Sequence, residues 1–494
     1  MSLQRLFGPI HLLKNNDVNK LKEEIQIRFP QSWPNNYFFN LPHSKYLYDI
    51  ASAFSDYANG LLHGDVEVER KEKAIIFVCL TYSNKANSQI TEFKCELEDY
   101  DFSKVYILFF ETRFIYEVLA VLLFSPIVKK NRPLDGAFNS INLAMASRLI
   151  EYHNVDLDRI ALGLTAKNGT MLVKVEDQNE LPFNFFTILS NSNLSENEIL
   201  NLIWITSQFV LGHELAHILY KSHPQVKEYT EHYFDNMLTW LKEHKNHISS
   251  HFEDSDLFEK ILHEATSLTE NSTIFSRHDY EECCCDIFAI DRIVNSNKLD
   301  LDFIPLLRTC LMFTNQLMTF FPGWTDYFQI VTGVYQEIAK KDHNFNKDNI
   351  DSFLEYDDTS DSGVLESHKL AMNRLNRTRV ITQLRKFIDD NYIDKLLWEF
   401  LSTRFENEED FTTSIVNNGN YFYSLWQEFE EGFFNGAVEN LKGLSATKLS
   451  SIGRSIQMFY STIDHPVASR LDADPFSFYM FSRVPTYGKP ITEF

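Results

Sequence analysis

The chain has 494 residues, of which 44% are hydrophobic, and its 69 acidic against 46 basic residues give a formal net charge of −23. That content can fill about two to three domains, and the acidity works against direct binding of nucleic acid or anionic membranes while favouring solubility. The opening Met1-Ser2-Leu3-Gln4-Arg5-Leu6-Phe7 carries no secretory signal, and Glu111, Arg113 and Glu117 interrupt the most apolar stretch, so a cytoplasmic protein without a membrane span is expected.

In chain order, Lys73-Ala74-Ile75-Ile76-Phe77-Val78-Cys79-Leu80 and Val105-Tyr106-Ile107-Leu108-Phe109-Phe110 predict buried strands within a mixed α/β region over residues 1–135. Helices around Ala137 to Tyr152 lead to two further strand-like runs, 170–175 and 183–189. The second of these, just before a long apolar helix, is the candidate edge for pairing with a peptide backbone. That helix starts with a capping box, Ser195 with Glu198, and is apolar nearly all round, which predicts burial. A second helix is expected from a Ser276 cap, with Asp279 at its third position, to Asn295. Residues 302–341 read as helical and aromatic, 342–363 as an acidic polar loop, and the tail from Phe387 as aromatic-rich with helix periodicity at 396–405 and 421–441. The fold class is α+β, predominantly helical, with expected divisions 1–135, 136–385 and 386–494.

The chemistry concentrates in Gly212-His213-Glu214-Leu215-Ala216-His217, an H-E-x-x-H motif inside the first of those helices. A four-residue spacing stacks His213 and His217 on one helix face, where both imidazoles can reach one Zn²⁺ with Glu214 beside the open position. Two residues compete to be the third ligand. His223 mimics the metzincin spacing, but that pattern needs a glycine where this chain has Tyr220; on a continuing helix His223 points away from His217. Glu282, in Glu281-Glu282-Cys283-Cys284-Cys285-Asp286, shares a helix face with Asp286. A carboxylate ligand with an Asp one turn on suits a zinc site, since Asp286 can hold the N–H of a ligand imidazole. The three adjacent cysteines fan out about 100° apart on a helix and cannot jointly grip one metal. All six cysteines read as small, mostly buried side chains in a reducing compartment.

H-E-x-x-H followed by a Glu-x-x-x-Asp helix resembles the gluzincin metallopeptidases of the CAAX-prenyl-protease and HtpX type, and the soluble ImmA-type antirepressor and phage-exclusion peptidases of bacteria. The resemblance covers residues 195–380, with Cys285 where those families carry a small alanine. It implies a zincin-like catalytic core with His213, His217 and Glu282 as zinc ligands, Glu214 as general base and Asp286 as the group that orients a ligand. Those families also place a His-Pro element with an Arg six residues later. Ser367-His368-Lys369 with Arg374 keeps the spacing and lacks the proline, whereas Asp464-His465-Pro466 with Arg470 keeps the proline and shortens the spacing by one. The first is favoured, with His368 stabilising an oxyanion and Arg374 pairing an acidic group.

Such an enzyme activates water at zinc and uses Glu214 as base, then as acid towards the leaving amine. The large flanking mass suits occlusion of the site or target recognition. The expectation is a zinc-dependent endopeptidase limited to one or a few intracellular proteins, serving bacterial stress response or antiviral defence against phage, with a regulatory protein partner allowed. The alternatives are an inactive zincin-like scaffold and a zinc hydrolase of a non-peptide substrate.

Overall fold

The computed structural model describes residues 6–28, 44–63, 74–81, 88–94, 100–118, 195–248, 255–295, 307–318 and 362–401, several of these with short breaks. The strand-like runs 170–175 and 183–189, the expected helices at 137–152 and 421–441, and His465 and Arg470 lie outside them. The chain divides into two compact units, the first made of Met1–Val118, Leu194–Gln316 and Val380–Gly419, the second of Leu119–Asn193, Leu317–Arg379 and Asn420–Phe494. The described part is mixed α/β and mostly helical, with one small mixed sheet.

That sheet has four strands, β1 (Leu6–Phe7), β2 (Ala74–Thr81), β3 (Gln89–Phe93) and β4 (Lys104–Glu111), in the spatial order β1-β2-β4-β3. β2 and β4 are the two apolar runs. They pair in parallel, Ala74 opposite Lys104 through Thr81 opposite Glu111, while β1 and β3 add antiparallel edges. Continuous apolar sequence is what a parallel pair covered on both faces requires. Helix α1 (Asn15–Arg28) puts Val18, Leu21 and Ile25 into one core with Ile75, Phe77, Val105, Ile107 and Phe109. Helix α2 (Ser44–His63) packs on β2, and its Asn59 amide both donates to the Ile76 carbonyl (2.9 Å) and accepts the Ile76 N–H (3.1 Å), taking the place of a strand partner.

Helix α3 (Glu196–Ser222) begins at the expected capping box: Ser195 accepts the Glu198 N–H at 3.3 Å and the Glu198 carboxylate accepts the Ser195 N–H at 2.7 Å. It is buried from Ile205 through Ala216 without a break, as its all-round apolar surface demands. Tyr220 continues the helix, sealed by a hydrogen bond from its hydroxyl to Glu231. α3 ends at Ser222, and α4 (Pro224–Ile248) and α5 (Ser255–Thr266) follow. Glu264 near the end of α5 accepts the N–H groups of Ile274 (2.7 Å) and Phe275 (3.0 Å), which fixes the chain entering α6 (Arg277–Val294). α6 has its own capping box between Ser276 and Asp279, and α7 (Ser362–Leu401) runs from the second unit's sequence into the first.

α3 and α6 lie against one another in opposite directions, with Gly212 opposite Ala289, His213 opposite Asp286, and His217 opposite Glu281 and Glu282. A methyl group placed on Gly212 would stand 3.4 Å from both Cα and Cβ of Ala289, so two small residues set the spacing. The far end of α6 is held by Arg292, whose guanidinium carbon lies 4.1 Å from the Tyr57 ring centroid and 4.7 Å from that of Phe54 on α2. Replacing the fully buried Ala289 by leucine is therefore expected to wedge α3 from α6 and cost about 1–3 kcal/mol. Urea denaturation checks this, and unchanged stability would contradict the close approach.

Candidate metal centre

His213 is buried against Asp286, with 2.8 Å between its Nδ1 and the carboxylate; His217 Nδ1 lies 2.9 Å from Glu281 Oε1. Ionised carboxylates only accept, so each Nδ1 carries the hydrogen and each Nε2 is left as the metal-facing atom. Both Nε2 atoms converge on Glu282, His213 at 3.3 Å from Oε2 and His217 at 3.4 Å from Oε1. Lone pairs on imidazole nitrogens and carboxylate oxygens repel one another unless a cation stands between them.

His213, His217 and Glu282 each offer an atom within 4.8 Å of the others, a grouping that could hold a metal ion. His223 caps the C-terminus of α3, its Nδ1 2.8 Å from Ser222 Oγ, and is not in the group.

Arg385, on α7, organises the carboxylates. Its Nε donates to Asp286 Oδ2, its Nη2 to Asp286 Oδ1 at 2.8 Å, and its Nη1 lies 3.3 Å from Glu282 Oε2. This is the two-pronged fit of a guanidinium to a carboxylate. His368 and Arg374 lie on α7 within the second unit, their side chains outside the described residues. Glu281 is held in turn by Lys221, whose Nζ is 2.9 Å from the same oxygen that accepts from His217. Cys285 Sγ lies 3.4 Å from His217 Nδ1, and burial pushes its thiol, like those of Cys283 and Cys284, up and away from thiolate character. All five described cysteines are buried and unbridged.

The charges explain how the centre titrates without metal. Burial works against a charged His213, but the hydrogen bonds and charges of Asp286 and Glu282 prevail and raise it to about 10. Burial likewise opposes ionisation of Glu282 and Asp286, yet His213 and Arg385 hold both carboxyl groups below their usual range. His217 moves down, through burial and then the neighbouring His213 charge. A proton on His213 thus occupies the place a metal would take. Burial, followed by the Glu282 charge, lifts the Glu214 carboxyl to about 8 against the opposing pull of His213, and the Ile90 N–H of β3 donates to it.

Three of these groups escaped the sequence reading. Glu281 stands next to Glu282 in the sequence, and nothing in the local pattern assigns it to His217. Arg385 stands three residues before buried Ile388 and seven before buried Tyr392, and an arginine on an apolar helical stripe was the available signal. β3 is short, and nothing local to Ile90 points to Glu214. No family model, curated protein or solved structure matches this chain.

Elemental analysis of the purified protein should find one bound metal ion per chain, lost in Glu282→Ala and kept in His223→Ala; loss in the latter alone would overturn the ligand set. Arg385→Met leaves Asp286 buried without its cation and is expected to cost about 3–5 kcal/mol in urea denaturation. The ordinary His value of 6.5 rises to about 10 in the folded metal-free state, so the stability from protonated His213 is complete below 6.5 and is lost as pH climbs through 10. A metal ion bound here would have to displace that proton. The melting-temperature gap between metal-loaded and chelator-treated protein should therefore widen from pH 6.5 to 10, and a constant gap would refute it.

Proposed function

We propose that this protein is a zinc-dependent endopeptidase that cleaves one or a few intracellular proteins. The observation that carries the reading is the convergence of two imidazole Nε2 atoms on one carboxylate, with the carboxyl group of Glu214 beside them on the same helix. Two imidazoles and a carboxylate suit zinc, and when bound the metal supplies a Lewis acid for a substrate carbonyl and for the attacking water.

The residues of the chain do the rest. Asp286 and Glu281 fix the tilt and tautomer of the two imidazoles, and Arg385 keeps Asp286 and Glu282 anionic. Glu214 takes the proton of the attacking water and returns it to the leaving amine. The value of about 8 describes the metal-free centre; a bound dication beside Glu214 would favour its anion, the form that takes a proton.

The contact between Ile90 and Glu214 favours a peptide over a small substrate. Among the described residues β3 is an edge strand of the sheet, and its Ile90 amide lies beside Glu214. An extended peptide pairing along this edge would pass beside Glu214 and the metal ligands. Restriction to few targets, and service in bacterial stress or phage defence, rest on the family resemblance and on the large extent of chain outside the site.

Glu214→Gln is expected to retain zinc and to lose about 10²–10⁴-fold in turnover. Incubating both proteins with a peptide library and reading new termini by mass spectrometry checks it; equal cleavage by the variant would exclude Glu214 as the base, and no cleavage by zinc-loaded wild type would favour the scaffold.

A further inference from the structure

The donors around the cluster are nearly all committed. Arg385 serves Asp286 and Glu282, Lys221 serves Glu281, the two Nδ1–H groups serve Asp286 and Glu281, and the Ile90 amide serves Glu214. His278 is the exception. It lies one turn before Glu282 on α6, its Nε2 3.7 Å from Glu282 Oε1, the oxygen that also faces His217 Nε2 at 3.4 Å. A separation of 3.7 Å is too long for a hydrogen bond, and no hydrogen bond to another described residue holds its ring.

We propose that His278 is a further catalytic residue, donating a hydrogen bond to the substrate carbonyl oxygen as that oxygen gains negative charge; this rests on the peptidase reading above. Exposure rises outward from the cluster, from 3% for His213 through 20% for Glu282 to 74% for His278, so an incoming carbonyl meets His278 on the solvent side. His278 is not a fourth ligand, since the atoms gathered within 4.8 Å belong to His213, His217 and Glu282. His278 thus presents a donor beside the carboxylate on which both imidazoles converge, at the rim that a substrate drawn to a bound metal would approach. The Ser276–Asp279 capping box fixes the backbone of this turn while the exposed ring stays free to adjust. A donor aimed at the developing oxyanion strengthens its interaction as the reaction proceeds. The resemblance gives this part to His368; the geometry points to His278.

The test uses the full chain loaded with Co²⁺ and inorganic phosphate as a tetrahedral oxyanion probe, its affinity read from the cobalt absorption bands. His278→Ala should keep its cobalt and bind phosphate about five- to ten-fold more weakly, and His278→Gln, which retains a donor, should recover most of the loss. On any peptide the wild type cleaves, His278→Ala should lower kcat with KM little changed. Equal phosphate affinity in all three proteins would overturn the proposal and leave the metal centre standing, and loss of cobalt from His278→Ala would make His278 a ligand instead. A wild type that takes up no cobalt would remove the peptidase reading itself.

Discussion

Asp286 has no exposure to solvent, and an ionised carboxylate there is tolerable only because Arg385 grips both of its oxygens while His213 donates to one of them. Isolated, that charge would cost several kcal/mol; stripped of its arginine, it would unsettle the ligand histidine as well. The pairing binds three helices at one point, since Asp286 comes from α6, His213 from α3 and Arg385 from α7. It also aligns the metal-facing atoms, because the orientation of each imidazole follows from the carboxylate that holds its Nδ1.

The backbone scaffold serves the same centre. Gly212 and Ala289 bring α3 and α6 close enough for short side chains to meet across them, and the antiparallel arrangement sets His213 opposite Asp286 and His217 opposite the Glu281–Glu282 pair. Capping boxes at both helix starts fix where each turn falls. Aromatic packing adds to this: the Tyr280 ring stands edge-on to Phe234 of α4 with centroids 4.8 Å apart, and its hydroxyl donates to Asp235 at 2.7 Å.

A small sheet beside a largely helical body has a clear use in this arrangement. Its strand β3, at the edge of the sheet among the described residues, brings the Ile90 amide to Glu214 on a helix more than a hundred residues later in the chain.

The parts written in local pattern were legible in the sequence. The H-E-x-x-H spacing, the Ser195 and Ser276 caps, the two apolar strands, the Glu282–Asp286 face and the continuation of α3 through Tyr220 each depend on residues a few positions apart, and periodicity reports such relations directly. Parallel pairing of β2 with β4, the recruitment of Glu281 to His217, the reach of Arg385 across 99 residues to Asp286, and the meeting of Ile90 with Glu214 were decided only by the tertiary structure. The reason is physical. A buried charge declares in sequence that it needs a partner, but which partner it takes depends on how helices and strands distant along the chain pack together.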